Sequence, residues 1–175
     1  MKKYIAYLRA INVGGSRIIK MDDLRKIFTS FDLQDVQTYI QTGNVIFASH
    51  PRDSSSLEAE LKSKLKAALG YPVEIFLRTW AENTKLAKQT TFNVGKDDTL
   101  HIAFLKEKID KNTEKELLAL NSKADEFAVH GREIFNLRHD KDKSIFSNAL
   151  IEKLIKAPAT TRNWNTIYKI VEKFK

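Results

Sequence analysis

Apolar residues lie on both faces of an extended segment near the start of the chain. Over Tyr4–Val13 they occupy both alternating sets of positions, which predicts a first strand that is buried on both sides. Arg9 is the exception, because it interrupts one of these apolar faces. Apolar positions then recur at helical spacing from Met21 to Phe31, with Asp22 and Asp23 in the first turn, which predicts a first helix.

Two β-prone runs at 36–41 and 45–48 flank Thr42-Gly43-Asn44, which is the turn chemistry of a short hairpin. The capping-box pattern Ser55-x-x-Glu58 begins a second helix that ends at Gly70, and a strand at 73–77 follows. The first part of the chain is therefore predicted to be β-α-β-β-α-β.

A second capping box, Thr79-x-x-Glu82, begins a segment that leads to a polar linker around 95–98. The same order then returns: a strand at 100–105, a short helix capped by Thr113, a hairpin over 127–137 and a helix at 145–155. After Pro158, where a final strand is missing from the pattern, a last helix is predicted from about Arg162.

These elements predict an α+β protein of two tandem ferredoxin-like subdomains of the β-α-β-β-α-β type, with mainly antiparallel sheets and a C-terminal helix. We expect a first subdomain at 1–80, a connecting helix and linker at 81–98, and a second subdomain with the last helix at 99–175. Because the order repeats without a residue-level repeat, we also expect an old duplication of topology.

Composition places the chain among folded proteins without disulfides. Of 175 residues, 42% are hydrophobic, 30% are charged and none is cysteine, which is typical of a globular protein in a reducing compartment. No apolar run approaches the roughly 18 residues of a membrane span, and the first apolar stretch stops at Arg9, too early for a signal peptide. We therefore expect a cytoplasmic protein without a membrane partner; nothing in the sequence predicts an oligomeric state.

The formal net charge of +8 favours anionic partners. It is shared by both halves, and only the segment from Lys141 to Lys175, with 8 basic and 3 acidic side chains, is locally biased. That bias keeps open a nucleic-acid binder without sequence preference. A further alternative is a protein-interaction module without catalysis, which would use an open sheet or a sheet edge.

Arg9 and the turn that follows are the first candidate site. A guanidinium on an apolar strand face needs a partner, which is an internal carboxylate, backbone carbonyls or an external anion. After Asn12, the Gly14-Gly15 turn permits close backbone approach to a phosphate, although adjacent glycines also form ordinary turns.

Two further segments carry candidate polar groups. Gln41 and Asn44 sit at the hairpin tip, where an amide rim is an alternative to plain turn chemistry. Thr161, Arg162 and Asn163 sit at the predicted start of the last helix, where a threonine cap is expected and where an anion would offset the repulsion between Arg162 and the helix dipole.

Other chemistries lack their patterns. The four histidines occur singly, which does not predict a metal site, and nothing predicts a cofactor. A G-x-S-x-G nucleophile motif is absent, and the Val45-Ile46-Phe47-Ala48 strand lacks the aromatic pattern of RNA-recognition domains. No carboxylate or histidine near the arginines predicts acid-base catalysis, so the sequence assigns no catalytic residue.

Four segments together resemble the DUF1697 family, a domain of unknown function found mainly in bacteria. They are Leu8-Arg9-Ala10-Ile11-Asn12-Val13-Gly14-Gly15, then Met21 and Leu24, then Tyr39-Ile40-Gln41-Thr42-Gly43-Asn44-Val45-Ile46-Phe47, and finally Thr161-Arg162-Asn163-Trp164-Asn165-Thr166. Ala10 and Thr42 depart from the glycine and serine that are usual there. The resemblance implies two similar α+β subdomains and no established activity, and its recurrent polar positions coincide with the candidate residues above.

The sequence therefore predicts a protein that binds a phosphate-bearing small molecule. The predicted ligand residues come from the first strand, the turn after it, the hairpin tip and the last helix: Arg9, Asn12, Gly14, Gly15, Gln41, Asn44, Thr161, Arg162 and Asn163. The hypothesis expects Arg9 and Arg162 to meet around the external anion.

Overall fold

The computed structural model describes residues 1–15, 17–88 and 91–175. Within them the chain forms, in order, β1 (Lys2–Leu8), α1 (Met21–Thr29), β2 (Gln34–Tyr39), β3 (Asn44–Ser49), α2 (Ser54–Leu69), β4 (Ile75–Thr79), α3 (Trp80–Lys88), β5 (Thr99–Phe104), α4 (Lys111–Leu118), β6 (Asp125–His130), β7 (Glu133–Arg138), α5 (Asn148–Ile155), β8 (Thr160–Asn163) and α6 (Trp164–Lys173).

Two compact units divide the chain, Met1–Lys85 and Leu86–Lys175. Each has a four-stranded antiparallel sheet, with the order β2-β3-β1-β4 in the first and β6-β7-β5-β8 in the second. In both, the first strand of the unit lies between the third and the fourth, which is the ferredoxin-like arrangement. The predicted fold class is confirmed, whereas an origin by duplication stays a prediction.

The core of the first unit lies between one face of its sheet and the helices α1 and α2. Alternate residues of β1 point to this face, and Tyr4 stacks on Phe47 of β3 with ring centroids 5.8 Å apart. Phe28 of α1 packs against the same Phe47 ring at 6.1 Å. The apolar stripe of α2 completes this core with Leu57, Leu61 and Leu65, all fully buried. The apolar positions predicted for the first helix pack here, since Leu24, Phe28 and Phe31 are buried.

The second unit has a corresponding core and one additional helix. Ala103 of β5 and Ile134 of β7 pack with Leu117 of α4 and Ile151 of α5. After the fourth strand, α6 contacts β5 and β8 and buries Ile167, Ile170 and Val171. The amphipathic pattern of the last helix is therefore satisfied within the second unit.

The first strand is shorter than predicted. β1 ends at Leu8, so Arg9 lies at the strand end and not in the middle of an apolar face. The chain leaves the sheet because Ala10 and Asn12 have positive φ angles, both 56°, a conformation that cannot continue a strand. Ala10 thus holds a left-handed conformation that glycine adopts at lower cost.

The prediction that the second unit lacks its final strand is wrong. Thr160–Asn163 forms β8, which pairs antiparallel with β5, for example Arg162 opposite Ile102. The β-branched threonines suit an extended strand, and the backbone pairing with β5 favours the strand over the predicted helix cap. Arg162 is therefore a strand residue, and the expected repulsion by a helix dipole does not arise.

Of the three N-terminal helix caps predicted at Ser55, Thr79 and Thr113, one is confirmed. Thr79 and Glu82 form the predicted reciprocal capping box. For α2 the cap is Asp53, which accepts from the Ser56 N–H, and for α4 it is Asp110, which accepts from the Thr113 N–H. These two aspartates lie N-terminal to the predicted Ser55 and Thr113, and carboxylates there also interact favourably with the helix dipole.

We predict that Gly43→Ala destabilises the first unit far more than Gly14→Ala. Both glycines have positive φ, 73° and 61°, so both variants incur about 1 kcal/mol of backbone cost. A Cβ on Gly43 lies 2.9 Å from Leu8 Cβ, whereas one on Gly14 has no heavy atom within 4 Å. We expect a further loss of about 1–3 kcal/mol for Gly43→Ala, measured by urea unfolding. Equal losses in the two variants would contradict this close contact.

Candidate functional site

The predicted site residues fall into two groups, one in each unit. Arg9, Asn12, Gly14, Gly15, Gln41 and Asn44 belong to the first unit, and Thr161, Arg162 and Asn163 belong to the second. Each group is coherent in itself, because its members lie on adjoining loops or strand ends. That both groups contribute to one ligand site stays a prediction.

Arg9 begins the loop that connects β1 with α1. Its backbone N–H donates to the Glu74 carbonyl at 2.9 Å, which ties the loop to the segment before β4. The side chain is half-buried at the end of the sheet. Arg9 is therefore anchored through its backbone at the start of a loop that carries further cations.

Asn12 organises this loop through its side-chain amide. Its Nδ2 donates to the carbonyls of Ile19 and Gln41, both at 3.0 Å, and its Oδ1 accepts from the Ile19 N–H at 2.7 Å. The amide thus joins both ends of the β1–α1 loop to the tip of the β2–β3 hairpin. Asparagine suits the position because it tolerates positive φ better than most residues. The structure gives Asn12 a positioning role.

We call the contacts of the Asn12 side chain with Ile19 and Gln41 the Asn12 clamp. Gly14 and Gly15 lie between Asn12 and Ile19 in the chain and face solvent. Both have positive φ, 61° and 73°, and the space where a side chain would sit is open at each. The exposed Arg17 follows, with its guanidinium 5.1 Å from the centre of the Tyr71 ring and Nη1 donating to the Pro72 carbonyl at 3.4 Å. The loop therefore exposes the backbone of Gly14 and Gly15, and the guanidinium of Arg17 close by in the chain is held by Tyr71 and Pro72.

The hairpin tip packs beneath this loop. The Leu8 N–H donates to the Gly43 carbonyl at 2.8 Å. Asn44 is fully buried, and its Nδ2 donates to the Tyr39 carbonyl at 3.0 Å and to Thr42 Oγ1 at 2.9 Å. The side chain of Gln41 is exposed, while its carbonyl accepts from Asn12. Asn44 thus stabilises the turn, and Gln41 is the amide directed to solvent.

In the second unit the three candidates lie at the end of β8. Arg162 is only 8% exposed, and its Nη1 donates to Thr160 Oγ1 at 2.9 Å and to the Thr161 carbonyl at 2.8 Å. Thr161 Oγ1 donates to Asn148 Oδ1 at 2.9 Å. Asn163, not a threonine, caps α6 by accepting from the Asn165 N–H at 2.8 Å. Asn163 also lines an open groove in this unit.

Comparison with known proteins identifies the family. A family model described as "Protein of unknown function (DUF1697)" matches residues 1–135, more than three quarters of the chain. The chain belongs to the DUF1697 family. The matched range includes the first group of candidate residues and ends before Thr161. A comparison with curated proteins finds no match.

A solved structure shows the same fold as this DUF1697 protein. It is that of conserved bacterial protein SP0830 from Streptococcus pneumoniae, which is similar with a TM-score of 0.77 and 21% sequence identity. The similarity covers 99% of each chain. At this identity the likeness shows the fold alone.

A buried polar cluster in the second unit was missed by the sequence reasoning. Asp125 is fully buried and accepts hydrogen bonds from Asn136 Nδ2 at 2.8 Å, Ser144 Oγ at 2.7 Å and the Ile145 N–H at 2.8 Å. His101 faces Asn136 across β5 and β7. Burial, and then the positive charge of Arg138, lower the pKa of His101 to about 4. Strand register and the path of the loop after β7 bring these residues together, so no local sequence pattern predicts the cluster.

A second missed cluster lies at the surface of the same unit. His139 bridges two carboxylates, with Nδ1 2.9 Å from Asp98 Oδ1 and Nε2 2.6 Å from Glu126 Oε1. Hydrogen bonding to Glu126 and then to Asp98 raises the pKa of His139. The bond from His139, followed by the bond from the Gly95 N–H, lowers the pKa of Asp98. These three residues come from three separate segments of the sequence.

Across residues 1–15, 17–88 and 91–175, no group of three His, Asp or Glu side chains is arranged to hold a metal ion. No helix in this described part combines the length and apolar character needed to cross a membrane.

We predict that Asn12→Gly destabilises the first unit by about 2–3 kcal/mol. Glycine keeps the positive φ at this position, so the loss isolates the three side-chain hydrogen bonds, at about 1 kcal/mol each. Urea unfolding measures the loss, and amide exchange at Ile19 reports on the loop directly. Unchanged protection of Ile19 in the variant would contradict the clamp.

We predict a pH-dependent contribution from His139. Because its pKa is raised in the folded state, the stabilisation is complete below the unfolded value of about 6.5 and is lost as pH rises through the folded pKa. His139→Gln is therefore expected to cost about 1 kcal/mol in the free energy of unfolding near pH 6 and progressively less above it.

His101→Gln is the control with the opposite sign. The folded pKa of about 4 lies below the unfolded value of about 6.5, so wild-type protein loses stability as pH falls between these values. The variant is expected to lack that loss. Urea midpoints at several pH values test both variants, and parallel pH profiles for the two would contradict the assignment.

Proposed function

We propose that this protein binds a phosphate-bearing small molecule in the cytoplasm, and that the loop between β1 and α1 forms the site. The observation that supports it most is the exposed Gly14-Gly15 backbone, held between the two ends of the Asn12 clamp. Backbone N–H groups in left-handed turns are ready donors to anions, and glycine allows a phosphate to approach closely. Because the clamp orders the loop beforehand, binding requires little further ordering.

The charge of the loop supports the same ligand class. Residues 9–20 contain Arg9, Arg17 and Lys20 and no acidic residue. Among the described residues, no carboxylate pairs with Arg17 or Lys20. Asp22 and Asp23 of the adjoining helix pair instead with Arg25 at 3.1 Å and Lys26 at 3.6 Å. Arg17 and Lys20 are thus available to a bound anion, which favours phosphate recognition.

The other predicted ligand residues have different parts in this proposal. Asn12 acts by positioning the loop. Gln41 accepts from Asn12 through its carbonyl and has an exposed side chain. Asn44 maintains the hairpin turn beneath them. The ligand roles of Thr161, Arg162 and Asn163 stay predictions, and the loop residues alone carry the test below.

The test is calorimetric titration with pyrophosphate and ribose 5-phosphate. The double variant Arg17→Ala, Lys20→Ala is expected to weaken binding of both at least about tenfold, since each charge-assisted hydrogen bond contributes about 1.5–3 kcal/mol. The matched control is Lys66→Ala, Lys85→Ala, which removes the same charge from exposed positions of the first unit outside the loop. It is expected to bind like wild type.

Two results would contradict the loop site: no binding of either phosphate by wild-type protein, or equal weakening in the control. Retention of single-stranded RNA that falls steeply with salt, and that survives the loop substitutions, would support the nucleic-acid alternative. The basic segment 141–175 would then be the region to substitute.

A further inference from the structure

An open groove of about 560 Å³ is lined entirely by residues of the second unit and includes none of the loop residues proposed above. Its size falls in the range of small-molecule sites, about 300–1,000 Å³. The lining combines two aromatic rings, three amides and one carboxylate: Phe92, Trp164, Asn93, Asn163, Asn165 and Asp98. Neither lysine nor arginine is among the described residues that line it. The chemistry therefore differs from that of the β1–α1 loop.

Trp164 gives the groove a fixed aromatic wall. It is the first residue of α6, and its indole N–H donates to the Leu86 carbonyl at 3.1 Å. Its ring also stacks on Tyr168, one helical turn further along, with centroids 5.5 Å apart and an interplanar angle of 26°. Because both the N–H and the ring plane are constrained, little side-chain entropy is lost when a ligand packs against Trp164.

Asp98 supplies a charged acceptor in a defined position. Oδ1 is bonded to His139 and Oδ2 accepts from the Gly95 N–H at 2.7 Å, which orients the carboxylate. Its side chain is only 14% exposed. Each carboxylate oxygen can accept a further hydrogen bond, so Asp98 is suited to a ligand that presents two O–H or N–H donors. An anionic group would instead be repelled.

The amides add donors around this acceptor. Asn163 uses its Oδ1 to cap α6, which leaves the Nδ2 hydrogens available at the groove. Asn93 and Asn165 also line the groove, and both are exposed. Amide donors and a carboxylate acceptor next to an aromatic ring match a polar ring that carries both donors and acceptors.

We infer that the groove binds a neutral ring compound with vicinal hydroxyl groups, the chemistry shared by free sugars and by the ribose of nucleosides. The ring packs against Trp164, and the hydroxyls donate to Asp98 and accept from the asparagine amides. His139 and Gly95 are positioning residues, because they hold the Asp98 carboxylate and do not line the groove themselves.

The experiment is titration of the full chain with adenosine, AMP, ribose and glucose. Binding is measured by calorimetry and by the change in the Trp164 indole resonance in NMR spectra. Adenosine or one of the sugars is expected to bind and to shift that resonance. Binding of adenosine but not ribose would show that the groove also contacts the adenine base, whereas binding of ribose or glucose would identify a sugar site. AMP is expected to bind the groove less tightly than adenosine because its phosphate faces Asp98.

Asp98→Asn is expected to weaken binding about tenfold or more and to abolish the preference for adenosine over AMP. The matched control is Asp97→Asn, which removes the same charge from the neighbouring exposed residue outside the groove and is expected to bind like wild type. The loop variant Arg17→Ala, Lys20→Ala is expected to retain adenosine binding, which separates this inference from the proposed phosphate site.

No shift of the Trp164 resonance in wild-type protein with any of the four probes at millimolar concentration would overturn the inference. Equal weakening by Asp97→Asn and Asp98→Asn would overturn it as well. Because the resonance is recorded on wild-type protein, the inference stays testable even if the Asp98→Asn variant is less stable through loss of the contact with His139.

Discussion

The central position of the first strand of each unit is the constraint on which the structure depends. β1 and β5 each form backbone hydrogen bonds with antiparallel strands on both sides. Most of their residues are buried, and their neighbours fix where each strand ends. In the first unit β1 stops at Leu8, where Ala10 turns the chain out of the sheet. The position of the basic loop follows from this termination.

Asparagine side chains hold the loops that carry candidate chemistry. Asn12 joins two loops of the first unit, Asn44 stabilises a hairpin turn and Asn163 caps α6. In each case the amide satisfies backbone groups that irregular segments leave without secondary-structure partners. An asparagine in a polar motif can therefore have a structural role. Asn12, whose contacts with Ile19 enclose Gly14-Gly15, illustrates this.

The two units share a topology but present different surfaces. The first has a loop with three basic residues and no acid, whereas the groove of the second is lined by amides, aromatic rings and Asp98. This difference in charge is the basis on which we propose an anionic ligand for the loop and a neutral one for the groove. A shared fold thus leaves the chemistry of each unit to its loops and strand ends.

Periodicity in the sequence determined most of the order of elements, because the apolar patterns of β1 and α1 are local and pack as predicted. Tertiary pairing decided what local chemistry left open: Thr160–Asn163 is a strand because it pairs with β5, and Arg162 is held by its own strand. The groove beside Trp164 and the contact of His139 with Asp98 join segments far apart in the chain. Such contacts depend on strand register and loop path, and a linear pattern of residues does not encode either by itself.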